Sequence, residues 1–163
     1  MKNNARFTAP NATLLGDLLT VGEGTWIGFN CLLDGQAARL DIGRWCDISS
    51  GAQLYTHSTH LRCAELGDKV VGPVTLEDHV FIGANSVVLP DTKIGHNSIV
   101  GALSLVRGDF PPNSLILGSP ARVKRTLTRQ EIRSSLRQAA VAPRSTSRRE
   151  EGSKSTRRAK ARL

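Results

Sequence analysis

Residues 76–106 read LEDHVF-IGANSV-VLPDTK-IGHNSI-VGALSL-V, with an aliphatic residue opening each block of six: Leu76, Ile82, Val88, Ile94, Val100 and Val106. An α-helix repeats its apolar face at about 3.6 residues and a half-buried strand at two, so neither element explains the pattern. The same period runs upstream through Leu15, Val21, Ile27 and Leu33, then through Ile42, Ile48 and Leu54. Leu, Ile and Val supply 38 of the 163 residues yet fill all 13 of these places, which excludes chance as the cause.

Two further columns share the phase. Glycine follows the aliphatic residue at 16, 22, 28, 43, 83, 95 and 101. Here it is expected to relieve a turn at positive φ. Four places after the aliphatic residue stand small side chains: Thr25, Cys31, Cys46, Ala52, Ser58, Ser86, Thr92, Ser98 and Ser104. A short strand and a tight turn, repeated, satisfy all three columns. This predicts an all-β chain, a parallel β-helix of hexapeptide repeats with three hexads to a coil and roughly five coils from Leu15 to Val106. The repeat breaks around residues 35–39 and again over 57–69, with Val70 expected to resume the phase. Insertions in a solenoid project from one side and often build its binding face.

Composition agrees. Aromatics are only 4% of the chain, so aliphatic layers must fill the core. Cys31, Cys46 and Cys63 are odd in number and lack C-x-x-C spacing, which argues against a disulfide framework or zinc site; no metal is expected. No apolar run is long enough to cross a membrane, and Met1–Arg6 leads into no apolar signal core, so a cytoplasmic location is expected. The net charge of +8 is uneven: residues 1–118 hold 8 Lys+Arg against 11 Asp+Glu, and residues 119–163 hold 14 against 3. Thr128-Arg129-Gln130-Glu131 is a capping-box signature. It opens a predicted short helix within 127–141. Residues 142–163, rich in Ser, Arg and Lys, read as a disordered basic tail. Without interleaved aromatics, the tail indicates no specific nucleic-acid partner.

The stretch from Gly72-Pro73-Val74-Thr75 to Val88-Leu89-Pro90 continues through Ile94-Gly95, Ile99-Val100-Gly101-Ala102 and Asp109-Phe110-Pro111-Pro112-Asn113. It closes with Gly118-Ser119-Pro120-Ala121-Arg122-Val123. This resembles the left-handed β-helix acyltransferases of the hexapeptide-repeat family, of the sugar O- or N-acetyltransferase type. The resemblance spans roughly residues 14–126 and implies the left-handed winding, a domain over residues 1–126 and a homotrimer. It also implies acetyl-CoA as acyl donor and a sugar or nucleotide-sugar acceptor, in polysaccharide biosynthesis. Ile48-Ser49-Ser50-Gly51-Ala52-Gln53-Leu54-Tyr55-Thr56-His57 is similar to a polysaccharide-cluster sub-group that places a histidine three after the aliphatic residue, which makes His57 the candidate base. His60, just beyond, is its rival. The resemblance places the pantetheine arm against Ala84 and Ala102, and the coenzyme phosphates near Arg107, Gly108, Arg122 and Arg125. Gly108 departs from the lysine common there.

One histidine suffices for this chemistry. The acceptor hydroxyl must lose a proton as it attacks the thioester, and an imidazole with a pKa of about 6.5 is matched to that task. Backbone N–H groups can hold the oxyanion. Asp34 is a candidate to orient His57. His79 and His96 read as turn residues. Two other classes compete: a non-catalytic β-helix scaffold, and a γ-carbonic anhydrase-like protein, for which His60 and His96 would supply two of three zinc ligands.

Overall fold

The structure, a computed structural model, describes residues 1–132. The chain winds into six stacked coils with three faces. In the first coil run β1 (Lys2–Asn3), β2 (Phe7–Thr8) and β3 (Thr13–Leu15); in the second, β4 (Leu19–Val21), β5 (Trp26–Ile27) and β6 (Leu32–Asp34). The third holds β7 (Leu40–Ile42), β8 (Asp47–Ile48) and β9 (Gln53–Tyr55). An excursion follows: β10 (His57–Ser58), α1 (His60–Cys63) and β11 (Val70–Val71). The coils resume with β12 (Val74–Leu76), β13 (Phe81–Ile82), the long β14 (Val87–Ile94), β15 (Ile99–Val100), β16 (Leu105–Phe110) and β17 (Ser114–Gly118). Strands β14 and β16 each pass round an edge, from the third face of one coil to the first face of the next. Finally β18 (Ala121–Thr126) folds back antiparallel on β17 and closes the end of the stack.

Parallel register builds the core. On the first face Val21, Ile42, Leu76, Ile94 and Phe110 stack in one column; on the second, Ile27, Ile48, Ile82, Val100 and Ile116; on the third, Leu14, Leu33, Leu54, Val88 and Val106. All but Leu14 are buried. Each large side chain removed from water is worth about 1.5–3 kcal/mol, so the columns hold the coils together alongside the backbone ladders.

The structure corrects the phase in four places. Leu14, not Leu15, faces Leu33, so the first coil is offset by one residue. The coils begin with β1, two strands ahead of the first aliphatic signal in β3 and within the same coil. Ser58 and Val70 pair antiparallel in the excursion, outside the coils; the coils resume with β12, and the phase with its Leu76. The glycine column also has another cause. At Gly43 an added Cβ would lie 2.7 Å from the carbonyl carbon of Glu77 in the next coil, so close backbone approach excludes a side chain there. Of the glycine column only Gly16 has positive φ, at 85°; elsewhere the left-handed φ falls two places later, at Gly24, Asn30, Trp45, Gly51, His79, Asn85, Asn97, Leu103 and Asn113.

The capping box at 128–131 is formed in both directions. Thr128 N–H donates to Glu131 Oε2 over 2.8 Å, and Glu131 N–H donates to Thr128 Oγ1 over 3.3 Å. A helical turn runs over 129–132. The remainder of the predicted helix to 141, and the tail 142–163, lie outside the described residues. Among the described residues no helix is long and apolar enough to cross a membrane.

Candidate active site

Both insertions emerge at the same edge, where the third face turns into the first. Thr56 ties them together. Buried there, it donates its hydroxyl to Asp34 O over 2.8 Å, its Oγ1 accepts from Ala38 N–H over 3.4 Å, and its carbonyl accepts from Gly72 N–H over 3.1 Å. The spacing in sequence carried no signal for this clamp beyond a threonine before His57.

His57 opens the excursion directly after the clamp. Its Nδ1 lies 3.1 Å from Asp34 Oδ2, with the histidine side chain 30% exposed and the carboxylate 5%. The distance is that of a hydrogen bond but the approach is out of line for one, and Nδ1 is otherwise buried without a partner. The carboxylate is thus the acceptor that a protonated Nδ1 would meet, leaving Nε2 as the ring's basic nitrogen. Asp34 is fixed from the other side, where Oδ1 accepts from Gln36 N–H over 3.0 Å. His60 sits on α1, exposed, with Nδ1 2.8 Å from Ser58 Oγ. Of the two histidines, His57 alone is brought against a buried carboxylate.

The coenzyme candidates divide between two edges. Ala84 and Ala102 stack one coil apart where the second face turns into the third, and Leu103 N–H donates to Ala84 O over 3.0 Å. Their own N–H groups donate to no acceptor among the described residues. Arg122 lies opposite Leu117, close to this edge. Arg107 and Gly108 belong to the edge that carries His57, further along the stack: Val106, just before Arg107, stacks on Val88, and Val88 on Leu54. Gly108 has φ +100 with open space around its missing Cβ, so backbone conformation, not crowding, excludes a lysine there. Arg125 is away from both groups. It pairs with Leu115 at the far side of the second face and is engaged by Glu131, at 2.7 and 3.0 Å. That guanidinium, with help from Thr128, pulls the Glu131 carboxyl down to about 2.

His79 and His96 occupy the remaining edge as turn residues. His79 is one of the left-handed positions, and His96 meets Glu77 through its N–H at 3.0 Å and its ring at 3.1 Å.

A three-faced stack of hexads with a histidine–carboxylate pair at one edge defines the chain as a hexapeptide-repeat β-helix protein. Residues 73–108 match the model for the bacterial transferase hexapeptide (six repeats). The structure of a hexapeptide-repeat-containing acetyltransferase from Vibrio cholerae superposes with a TM-score of 0.69 at 33% identity, covering 78% of this chain and 73% of that one. The form complexed with acetyl coenzyme A superposes at 0.62 and 31% identity, covering 78% and 70%. A maltose O-acetyltransferase from Clostridium difficile gives 0.63 at 28% identity, covering 78% and 67%. Relatives in Staphylococcus aureus are 28% identical over 126 residues, and the matched part is 77% of this chain and 63% of theirs. The chain belongs to the bacterial hexapeptide-repeat transferase family.

Proposed function

We propose that the protein transfers an acetyl group from acetyl-CoA to a hydroxyl or amine of a sugar or nucleotide sugar, serving polysaccharide biosynthesis, with His57 as general base. The observation that carries this is the contact of His57 Nδ1 with buried Asp34 at the edge where both insertions emerge. The acetyl-CoA complex and the maltose O-acetyltransferase among the similar structures support the donor and the acceptor class.

The step needs no metal. His57 Nε2 takes the proton from the acceptor O–H or N–H while that atom attacks the thioester carbonyl carbon. The resulting imidazolium is stabilised by the Asp34 carboxylate. The tetrahedral intermediate collapses, the C–S bond breaks, and the thiolate takes the proton from the imidazolium. The products are the acetylated acceptor and CoA with a free thiol. Ala84 and Ala102 offer the arm a narrow bed with two free N–H donors, and Arg122 offers charge to a phosphate. Arg107 and Gly108 extend the edge that carries His57. Arg125 serves the coenzyme only if it leaves Glu131.

The working unit is a homotrimer. In support, Trp26, Phe81 and Ile99 are exposed in one column along the second face, interrupted by Asp47 between Trp26 and Phe81 and with Trp45 beside it, and such large apolar residues are the kind that subunit contacts cover.

The test is release of free thiol from acetyl-CoA against a panel of sugars and nucleotide sugars, for wild type and His57→Ala. Acceptor-dependent release that the substitution abolishes is the expected result. A wild type that binds CoA yet transfers to none of them would favour the scaffold class, and equal rates for both proteins would remove His57 from the mechanism.

A further inference from the structure

Leu103 breaks the rule that governs its column. Along the edge between the second and third faces, the left-handed position is held by Asn30, Gly51 and Asn85 in successive coils. These are residues that tolerate positive φ. The next coil has Leu103, at φ 58. A branched apolar side chain pays steric strain there, and nothing in the fold repays it, because the residue is 72% exposed. Strain retained without burial in the folded chain marks a position held for contact with something else.

Its surroundings indicate what that is. Leu103 follows Ala102 directly, and its N–H donates to Ala84 O, which holds its backbone against the Ala84–Ala102 bed. Leu105, also exposed, lies two residues on, and its strand neighbour across the ladder is Val87. The bed therefore has two free amide donors on its floor and an apolar lip of Leu103 and Leu105 on one side. A linear ligand that alternates amide carbonyls with a branched hydrocarbon segment fits both. Pantetheine is such a ligand: its amides suit the Ala84 and Ala102 N–H groups, and its gem-dimethyl carbon suits an aliphatic lip.

We propose that Leu103 is an affinity-determining contact for the pantetheine arm of the acyl donor. The residue is kept in a strained turn because its side chain is buried only when the coenzyme is bound. This rests on the acyl-donor function proposed above.

The experiment compares wild type with Leu103→Gly and Leu103→Asn, both suited to the left-handed turn. Thermal unfolding without ligand and titration calorimetry with CoA are the two readouts, with sedimentation velocity on the same samples. Relief of strain should raise Tm by about 2–4 °C in both variants. Loss of the buried contact should weaken CoA binding by about tenfold. A dissociation constant that stays put while Tm rises would overturn the proposal and leave Leu103 as tolerated strain. Weaker binding accompanied by dissociation of the assembly would overturn it too, making Leu103 a subunit contact. A wild type that binds no CoA would sink the acyl-donor function itself, an outcome distinct from the other two.

Discussion

Asp34 and His57 lie one coil apart in the chain and 3.1 Å apart in space, across an edge that the Thr56 hydroxyl holds closed. The parallel register makes this possible, because it sets Asp34 on Tyr55 and so places the carboxylate beside the residue that leaves the coil. His57→Ala should lower kcat by at least about a hundredfold, the usual range for a general base. KM for acetyl-CoA should change little, since the imidazole acts mainly in the transition state. Asp34→Asn should lower kcat as well, because the imidazolium formed during transfer loses its stabilising charge. His60→Ala should leave kcat within about threefold. A large loss in His60→Ala with none in His57→Ala would transfer the role to α1.

The solenoid and its six-residue period were legible because inward positions on parallel strands admit only aliphatic side chains, and the register repeats that demand in every coil. Leu14 escaped because a single extra residue before β4 shifts the phase, and two adjacent leucines hide the shift. His57 was singled out by the resemblance of Tyr55-Thr56-His57 to the polysaccharide-cluster sub-group. Asp34 was legible as its candidate partner, but nothing in the spacing shows that Asp34 is covered while most other carboxylates are open to water. The division of the cationic candidates was equally hidden. Arg122 and Arg125 are neighbours in sequence, yet the bulge in the β17–β18 register and the Glu131 pair set them apart.

The glycine column and the left-handed column make opposite demands, and substitution separates them. Gly43→Ala drives a Cβ to 2.7 Å from Glu77 C and 2.8 Å from Asp78 N, both next-coil backbone that cannot move without opening the ladder. The cost should be about 1–3 kcal/mol. Asn85→Gly, at φ 55, should stay within about 0.5 kcal/mol of wild type. Chemical unfolding of both variants measures the contrast, and equal costs would contradict the assignment of the two columns.

The three thiols should differ sharply in reactivity. Cys31 and Cys46 are buried in the small-residue column, while Cys63 is exposed on α1. Burial pushes the Cys46 thiol up to about 11 and raises Cys31 as well, so neither supplies thiolate at neutral pH. A thiol-specific disulfide reagent should modify Cys63 quickly in the native protein and the other two only on unfolding. Fast native labelling in a Cys63→Ser variant would mean that the stack opens at its small-residue edge.

Acid should weaken the edge that carries Glu77, for a reason visible in its partners. His96 N–H, the His96 ring and Lys93, with Nζ at 3.3 Å, all favour the ionised carboxylate and hold it below the ordinary glutamate range. A carboxylate whose pKa is lower folded than unfolded contributes stability above the unfolded value, near 4.3, and loses it as pH falls through the folded value. The group is about one-third exposed, with a side-chain figure of 32%, so screening keeps the contribution below about 1 kcal/mol. Glu77→Gln preserves the shape and one acceptor but removes the charge. Urea unfolding should therefore show wild type more stable than Glu77→Gln at about pH 7, with the gap closing as pH falls through the lowered pKa of the wild-type carboxyl and it takes up its proton. A gap that persists at the lower pH would mean that the side chain acts through its hydrogen bond to His96 and not through its charge.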